Sequence, residues 1–147
     1  MPELPEVETV TQSVKKHLIN NHFTSITVNW DKTLHNFNIS DFNEKIKNKP
    51  INDVYRRGKY ILIDVESNLV AVHLRMTGKL YASNSIDKNK KHISLYLEFD
   101  DKYLIFEDTR KFGRFYMFDN MDYLDNKLGV EPLTEDFSGG WILENMK

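Results

Sequence analysis

The chain has 147 residues, is 40% hydrophobic and 12% aromatic, and carries 20 basic against 22 acidic residues for a net charge of −2. This suits one domain with a sizeable core and excludes a disordered or fibrous chain; the absence of cysteine excludes a disulfide framework and a thiolate metal site. No stretch approaches the ~20 apolar residues that span a bilayer, and the acidic, proline-bearing start is unlike a secretory leader, so a soluble cytoplasmic protein is expected.

In chain order, residues 5–19 read as an amphipathic helix. Val7, Val10, Val14 and Leu18 form one apolar stripe, Pro5 suits the first turn, Glu6 and Glu8 sit at the positive dipole end, and Lys15, Lys16 and His17 sit at the negative end. Ile26, Val28 and Trp30 alternate with polar residues as in a half-buried strand. Ser40 is a candidate cap for a short helix carrying Phe42 and Ile46. A series of strand signals follows at 54–57, 60–66, 69–76, 93–99, 103–107 and 115–118, with polar breaks at Ser67-Asn68 and Asp100-Asp101 that predict hairpins. The lysine-rich segment 83–91 reads as an exposed loop. Residues 121–128 are a candidate helix stopped by Gly129, Glu131-Pro132-Leu133 a linker, and 138–147 the start of a further helix that reads as truncated. The expected fold is α+β: an antiparallel β-sandwich flanked by helices.

The net charge runs against the basic excess usual in nucleic-acid binders. The distribution is uneven, however. Arg56, Arg57, Lys59, Arg75 and Lys79 lie close together, Lys88, Lys90, Lys91, Arg110, Lys111 and Arg114 follow, and many acids lie in the first ten residues and after Asp119. A basic face on a near-neutral domain is open, but charge alone does not indicate DNA.

The sharpest chemical signal is the opening Met1-Pro2-Glu3-Leu4-Pro5-Glu6. Once Met1 is removed, Pro2 exposes a secondary amine, less basic than lysine's, that condenses with a carbonyl to an iminium. Glu3 and Glu6 stand beside it as proton-transfer groups. Read alone, the same residues are also a favourable helix start. Likewise Lys59 alone reads as a solvated strand-end lysine, His73 as a strand histidine, Met76 as core filling and Phe112 as a loop anchor.

Four ordered motifs change this reading. Pro2-Glu3-Leu4-Pro5-Glu6-Val7-Glu8-Thr9, Arg56-Arg57-Gly58-Lys59-Tyr60, His73-Leu74-Arg75-Met76-Thr77-Gly78 and Asp108-Thr109-Arg110-Lys111-Phe112-Gly113 resemble, in order, those of the formamidopyrimidine-DNA glycosylases. Leu128-Gly129-Val130-Glu131-Pro132-Leu133 is similar to that family's linker, with valine where proline is usual. The resemblance implies a repair enzyme acting on damaged double-stranded DNA as a monomer, with no membrane and no cofactor in this chain. Pro2 would be the nucleophile, Glu3 its proton-transfer partner and Glu6 a second functional acid. Lys59 and His73 would contact phosphates, with His92 a weaker candidate. Met76, Arg110 and Phe112 would fill the gap left by an everted nucleotide. Thr77-Gly78 and Gly113 would form turns presenting that trio. The resemblance further implies residues 1–133 as the catalytic sandwich and 134–147 as a linker opening a helix–two-turn–helix module. A zinc finger would lie beyond it, and a four-cysteine finger is impossible in a chain without cysteine. Endonuclease VIII-type relatives, selective for oxidised pyrimidines, are disfavoured by Leu4 where they usually have glycine. Small tautomerases share only the N-terminal proline and are much shorter. A non-catalytic DNA-binding domain of the same fold is the third reading, against which the intact Pro2-Glu3 pair speaks.

Overall fold

The computed structural model describes residues 3–118. The elements run α1 (Leu4–Leu18), β1 (Ser25–Val28), a one-turn 3-10 helix (Asp31–Thr33), α2 (Ile39–Lys45), β2 (Ile51–Arg57), β3 (Tyr60–Val65), β4 (Asn68–His73), β5 (Gly78–Ser83), β6 (Ile93–Phe99), β7 (Lys102–Asp108) and β8 (Arg114–Phe118). The strands form two four-stranded sheets in the orders β1-β6-β7-β5 and β2-β3-β4-β8. Pairing is antiparallel at β1–β6, β2–β3, β3–β4, β5–β7 and β6–β7. The expected α+β sandwich flanked by helices is therefore the observed architecture. The linker and the helices read over 121–147, with the boundary at 133/134, lie outside the described residues.

One core joins the sheets. Ile61, Ile63, Val70, Val72 and Phe115 from one, and Leu80, Leu95, Leu97, Leu104 and Phe106 from the other, are buried together with Val7, Val14 and Leu18 of α1. Helix α1 packs against β2 and β5, the edge strands of the two sheets, and so closes one side of the sandwich. Its buried stripe is Val7, Thr11, Val14 and Leu18 rather than one running through Val10. Thr11 is tolerated there because its hydroxyl donates to the Val7 carbonyl at 2.7 Å. On the other side Leu34 bridges to Phe115, and Asn36 exchanges two hydrogen bonds with the Met117 backbone, tying the post-β1 segment to β8.

Three local expectations change. Helix α2 is capped by Asn38, whose side chain accepts from Asp41 N–H at 2.9 Å, and not by Ser40. Trp30 has left the strand and is 36% exposed. Segment 78–83 is a strand, overlooked because only Leu80 and Ala82 alternate clearly.

Both residues of the β6–β7 turn have left-handed backbones, Asp100 at φ 45° and Asp101 at φ 59°. This is the two-residue hairpin geometry that Asn-Gly fits best. The double change Asp100→Asn with Asp101→Gly should raise stability by about 0.5–1 kcal/mol, read as a higher denaturant midpoint at unchanged slope.

Candidate functional site

The register of strands and helix places the motifs at one end of the sandwich. Arg56 Nε pairs with Glu8 Oε1 at 2.9 Å and Lys15 Nζ with Asp53 at 3.2 Å, so α1 lies beside β2 with its N-terminus at the β2–β3 turn. Arg56 also donates to Gly58 O at 2.9 Å. This arginine therefore holds the helix to the turn carrying Lys59. Pro2 lies outside the described residues. Glu3 is exposed, and its backbone N–H donates to Glu6 Oε1 at 2.7 Å. Glu6 thus completes a capping box with Glu3 at the start of α1.

Across β3–β4, Tyr60 pairs with His73, and the two rings meet edge-on at 4.8 Å. His73 Nδ1 accepts the Arg75 N–H at 3.0 Å. Burial, aided by the charges of Arg75 and Lys59, pushes the His73 pKa down to about 4. At neutral pH the ring is therefore uncharged, and its one proton sits on Nε2, leaving that nitrogen a donor.

Chain direction reverses beyond His73, at Arg75, whose φ is 59°. Met76 follows, 48% exposed, then Thr77 and the start of β5. The second loop, from Thr109 to Gly113, turns at Lys111, φ 60°, and leaves Phe112 45% exposed beneath Arg110, whose guanidinium carbon is 5.4 Å from its ring. The residues that turn the chain are thus Arg75 and Lys111. Gly78 and Gly113 serve close approach instead. A Cβ on Gly78 would lie 2.5 Å from Leu74 O, and one on Gly113 2.2 Å from the Phe106 ring.

One side chain joins these loops. Asp108, 0% exposed, accepts from the Thr77 hydroxyl and from Arg110 N–H (3.1 Å) on Oδ1, and from Gly113 N–H (2.7 Å) on Oδ2. Arg110 N–H also reaches Thr77 Oγ1 at 3.3 Å. Asp108 was visible in the sequence only as the first letter of a motif, because its donors lie 31 residues away in one direction and two to five in the other. His92 is at the same end, its carbonyl accepting Asp108 N–H at 2.8 Å. Its Nδ1 is buried with no hydrogen-bond partner among the described residues, leaving Nε2 as the ring's remaining polar atom. Of the other basic residues noted in the sequence, Lys90 is paired with Glu107 at 3.1 Å. A four-cysteine zinc site does not fit a chain without cysteine.

Two facing sheets, a helix along their open edge, and exposed motif residues gathered around the start of that helix define an α+β sandwich domain with one functional end. The family described as Formamidopyrimidine-DNA glycosylase N-terminal domain matches residues 1–115, and the chain belongs to it. The formamidopyrimidine-DNA glycosylase of Mycoplasma genitalium is 37% identical over 93% of this chain and 50% of its own length. That of Ligilactobacillus salivarius is 40% identical over 94% and 54%. The chain therefore spans about half the length of the curated relatives it matches. Among solved structures, Lactococcus lactis Fpg in complex with DNA containing an abasic site superposes with a TM-score of 0.79 at 29% identity, covering 87% of this chain and 48% of that one. The same organism's Fpg in complex with DNA containing Fapy-dG gives 0.78 at 30%, covering 86% and 48%.

Two outcomes follow. Asp108→Ala strands the Gly113 N–H and the Thr77 hydroxyl, and each unpaired buried donor costs about 1–3 kcal/mol. Denaturant unfolding should show a loss of roughly 2–6 kcal/mol, with Asp108→Asn intermediate because one acceptor oxygen survives. For His73 the folded pKa, about 4, lies below the ordinary value near 6.5. Between these values the unfolded chain takes up a proton that the folded chain refuses. Stability from this group is complete above pH ~6.5 and lost as pH falls toward ~4. Unfolding midpoints of His73→Gln should fall less steeply across that window than those of the parent.

Proposed function

We propose that this chain carries the catalytic part of a base-excision repair DNA glycosylase with abasic-site lyase activity on oxidised purines, such as 8-oxoguanine and formamidopyrimidines. The observation that carries the reading is the collection, at one end of the sandwich, of the α1 start, Lys59, neutral His73 and the two loops displaying Met76, Arg110 and Phe112. Family membership supports the same reading.

In this mechanism the Pro2 nitrogen, freed by removal of Met1, attacks C1′ of the damaged nucleotide. The C1′–base bond breaks and the base leaves; the C1′–O4′ bond then opens, leaving the ring oxygen as a C4′ hydroxyl and an iminium between Pro2 and C1′. Glu3 moves the protons at the ring oxygen, and Glu6 holds the residue 2–3 peptide so that the amine is aimed. The iminium withdraws electrons, allowing elimination of the phosphates on both sides of the sugar and nicking the strand. Lys59 and the His73 Nε2–H hold phosphates, one by charge and one by a neutral donor, and His92 adds a further contact. Met76 and Phe112 enter the gap left by the everted nucleotide, Arg110 bonds the widowed base, and together they offset part of the few kcal/mol that flipping costs. We assign residues 1–133 to this unit and 134–147 to the linker and opening of a helix–two-turn–helix module. The partner is damaged double-stranded DNA, bound by a monomer.

Borohydride reduction tests the central step. In protein freed of Met1, incubation with abasic-site DNA and borohydride should give a stable cross-link mapping to residue 2. Retained Met1 should abolish it, and Glu3→Gln should keep some trapping while impairing turnover. A sugar found on Lys59, or trapping undiminished by a blocked residue 2, overturns the proline mechanism.

A further inference from the structure

Among the described residues Trp30 is one of five large apolar side chains left exposed, and two ammonium groups from different parts of the chain lie over its ring. Lys32 Nζ lies 6.0 Å from its ring centroid and Lys111 Nζ 5.8 Å. Its position is fixed at the functional end. Val28, the last residue of β1, pairs with Leu95, and the Asn29 and Trp30 N–H groups both donate to Ser94 O, at 2.8 and 3.0 Å. Lys32 rides on the one-turn helix that follows. Lys111 stands between Arg110 and Phe112, and its left-handed backbone, φ 60°, is a conformation lysine seldom adopts without a compensating contact. Its carbonyl is held by Arg114 Nη1 at 2.8 Å. The nearest acid in sequence, Asp31, lines the neighbouring cleft with Val28, Leu34 and Phe37.

We propose that Trp30, Lys32 and Lys111 form a second DNA-contacting platform, extending the interface from the Arg110–Phe112 loop onto the post-β1 segment. This rests on the DNA-repair reading of the same end. Its ligand is the sugar–phosphate backbone of the duplex flanking the wedge: the two ammoniums neutralise phosphates, and the indole packs on the deoxyribose between them. Charge complementarity singles out this occupant, since an exposed aromatic bracketed by cations suits a polyanion with apolar sugar faces and disfavours a purely apolar partner. The platform is sequence-independent, because backbone contacts position without reading bases.

The test uses the whole chain with Trp141→Phe, so that Trp30 is the only tryptophan, titrated with short duplex DNA at several low salt concentrations. Trp30 emission should change on saturation. Each phosphate contact contributes about 0.9 to the slope of log affinity against log salt, so Lys32→Ala with Lys111→Ala should reduce that slope by about 1.8. Lys32→Arg with Lys111→Arg should keep it, which separates lost charge from lost folding. Unmoved Trp30 emission at saturation, or an unchanged slope in the alanine pair, overturns the platform. If Lys59→Ala still lowers the slope in that case, the DNA reading stands without it. Absence of any saturable binding overturns both.

Discussion

A carboxylate buried between two loops needs both oxygens hydrogen-bonded, and Asp108 meets that demand through residues 77 and 110 on one oxygen and residue 113 on the other. This is the constraint on which the functional end depends. Asp108 closes β7 opposite Gly78, so the side chain that gathers the loops is carried at the end of an inner strand of its sheet. The exposed tips, Met76 and Phe112, are thus carried on loops that the buried carboxylate ties together. Gly113 lets the second loop press on Phe106, whose ring packs on Phe115 at 5.3 Å, so loop and core share the same aromatic pair.

Electrostatics at this end depend on where charges are consumed more than on how many there are. Glu8 and Asp53 pair with basic residues on the α1–β2 face, and Glu107 takes Lys90. Lys59, Arg75, Arg110 and Lys111 stand at the end where the motifs converge, which reconciles a net charge of −2 with a locally positive surface. His73 departs from the trend: half-buried, and beside Arg75 and Lys59, it stays neutral at pH 7 and contributes a donor without a further positive charge.

Periodicity and turn residues made most of this architecture legible. Helix α1 announces itself through Val7, Val14 and Leu18, and the hairpins through their polar breaks. What escaped depends on hydrogen bonds and packing that a hydropathy pattern does not carry. Thr11 enters the core because its hydroxyl finds a carbonyl in its own helix, a compensation no hydropathy pattern records. Strand β5 is an edge strand covered by α1, and Gly78 and the outward Tyr81 dilute its apolar alternation. At the site, motif resemblance located Glu3, Glu6, Lys59, His73, Met76, Arg110 and Phe112, and the structure places them at one end. It could not show that Asp108 braces the loops, that Glu6 grips the residue 3 N–H, or that Arg75 and Lys111 rather than glycines turn the chain. The first is a property of three-dimensional proximity, since Thr77 lies 31 residues from Asp108, and the others are local backbone geometry.

The hairpin turns at Glu66-Ser67 and Asp100-Asp101 lie at the opposite pole of the sandwich, because β3 and β6 both run away from the motif-bearing end and β4 and β7 return to it. Neither turn shares a strand end with Lys59, His73 or Asp108. A cysteine placed at Ser67 would therefore carry a dye or surface tether with the motif end facing outward. In a chain otherwise free of thiols, such attachment would be stoichiometric and of one orientation.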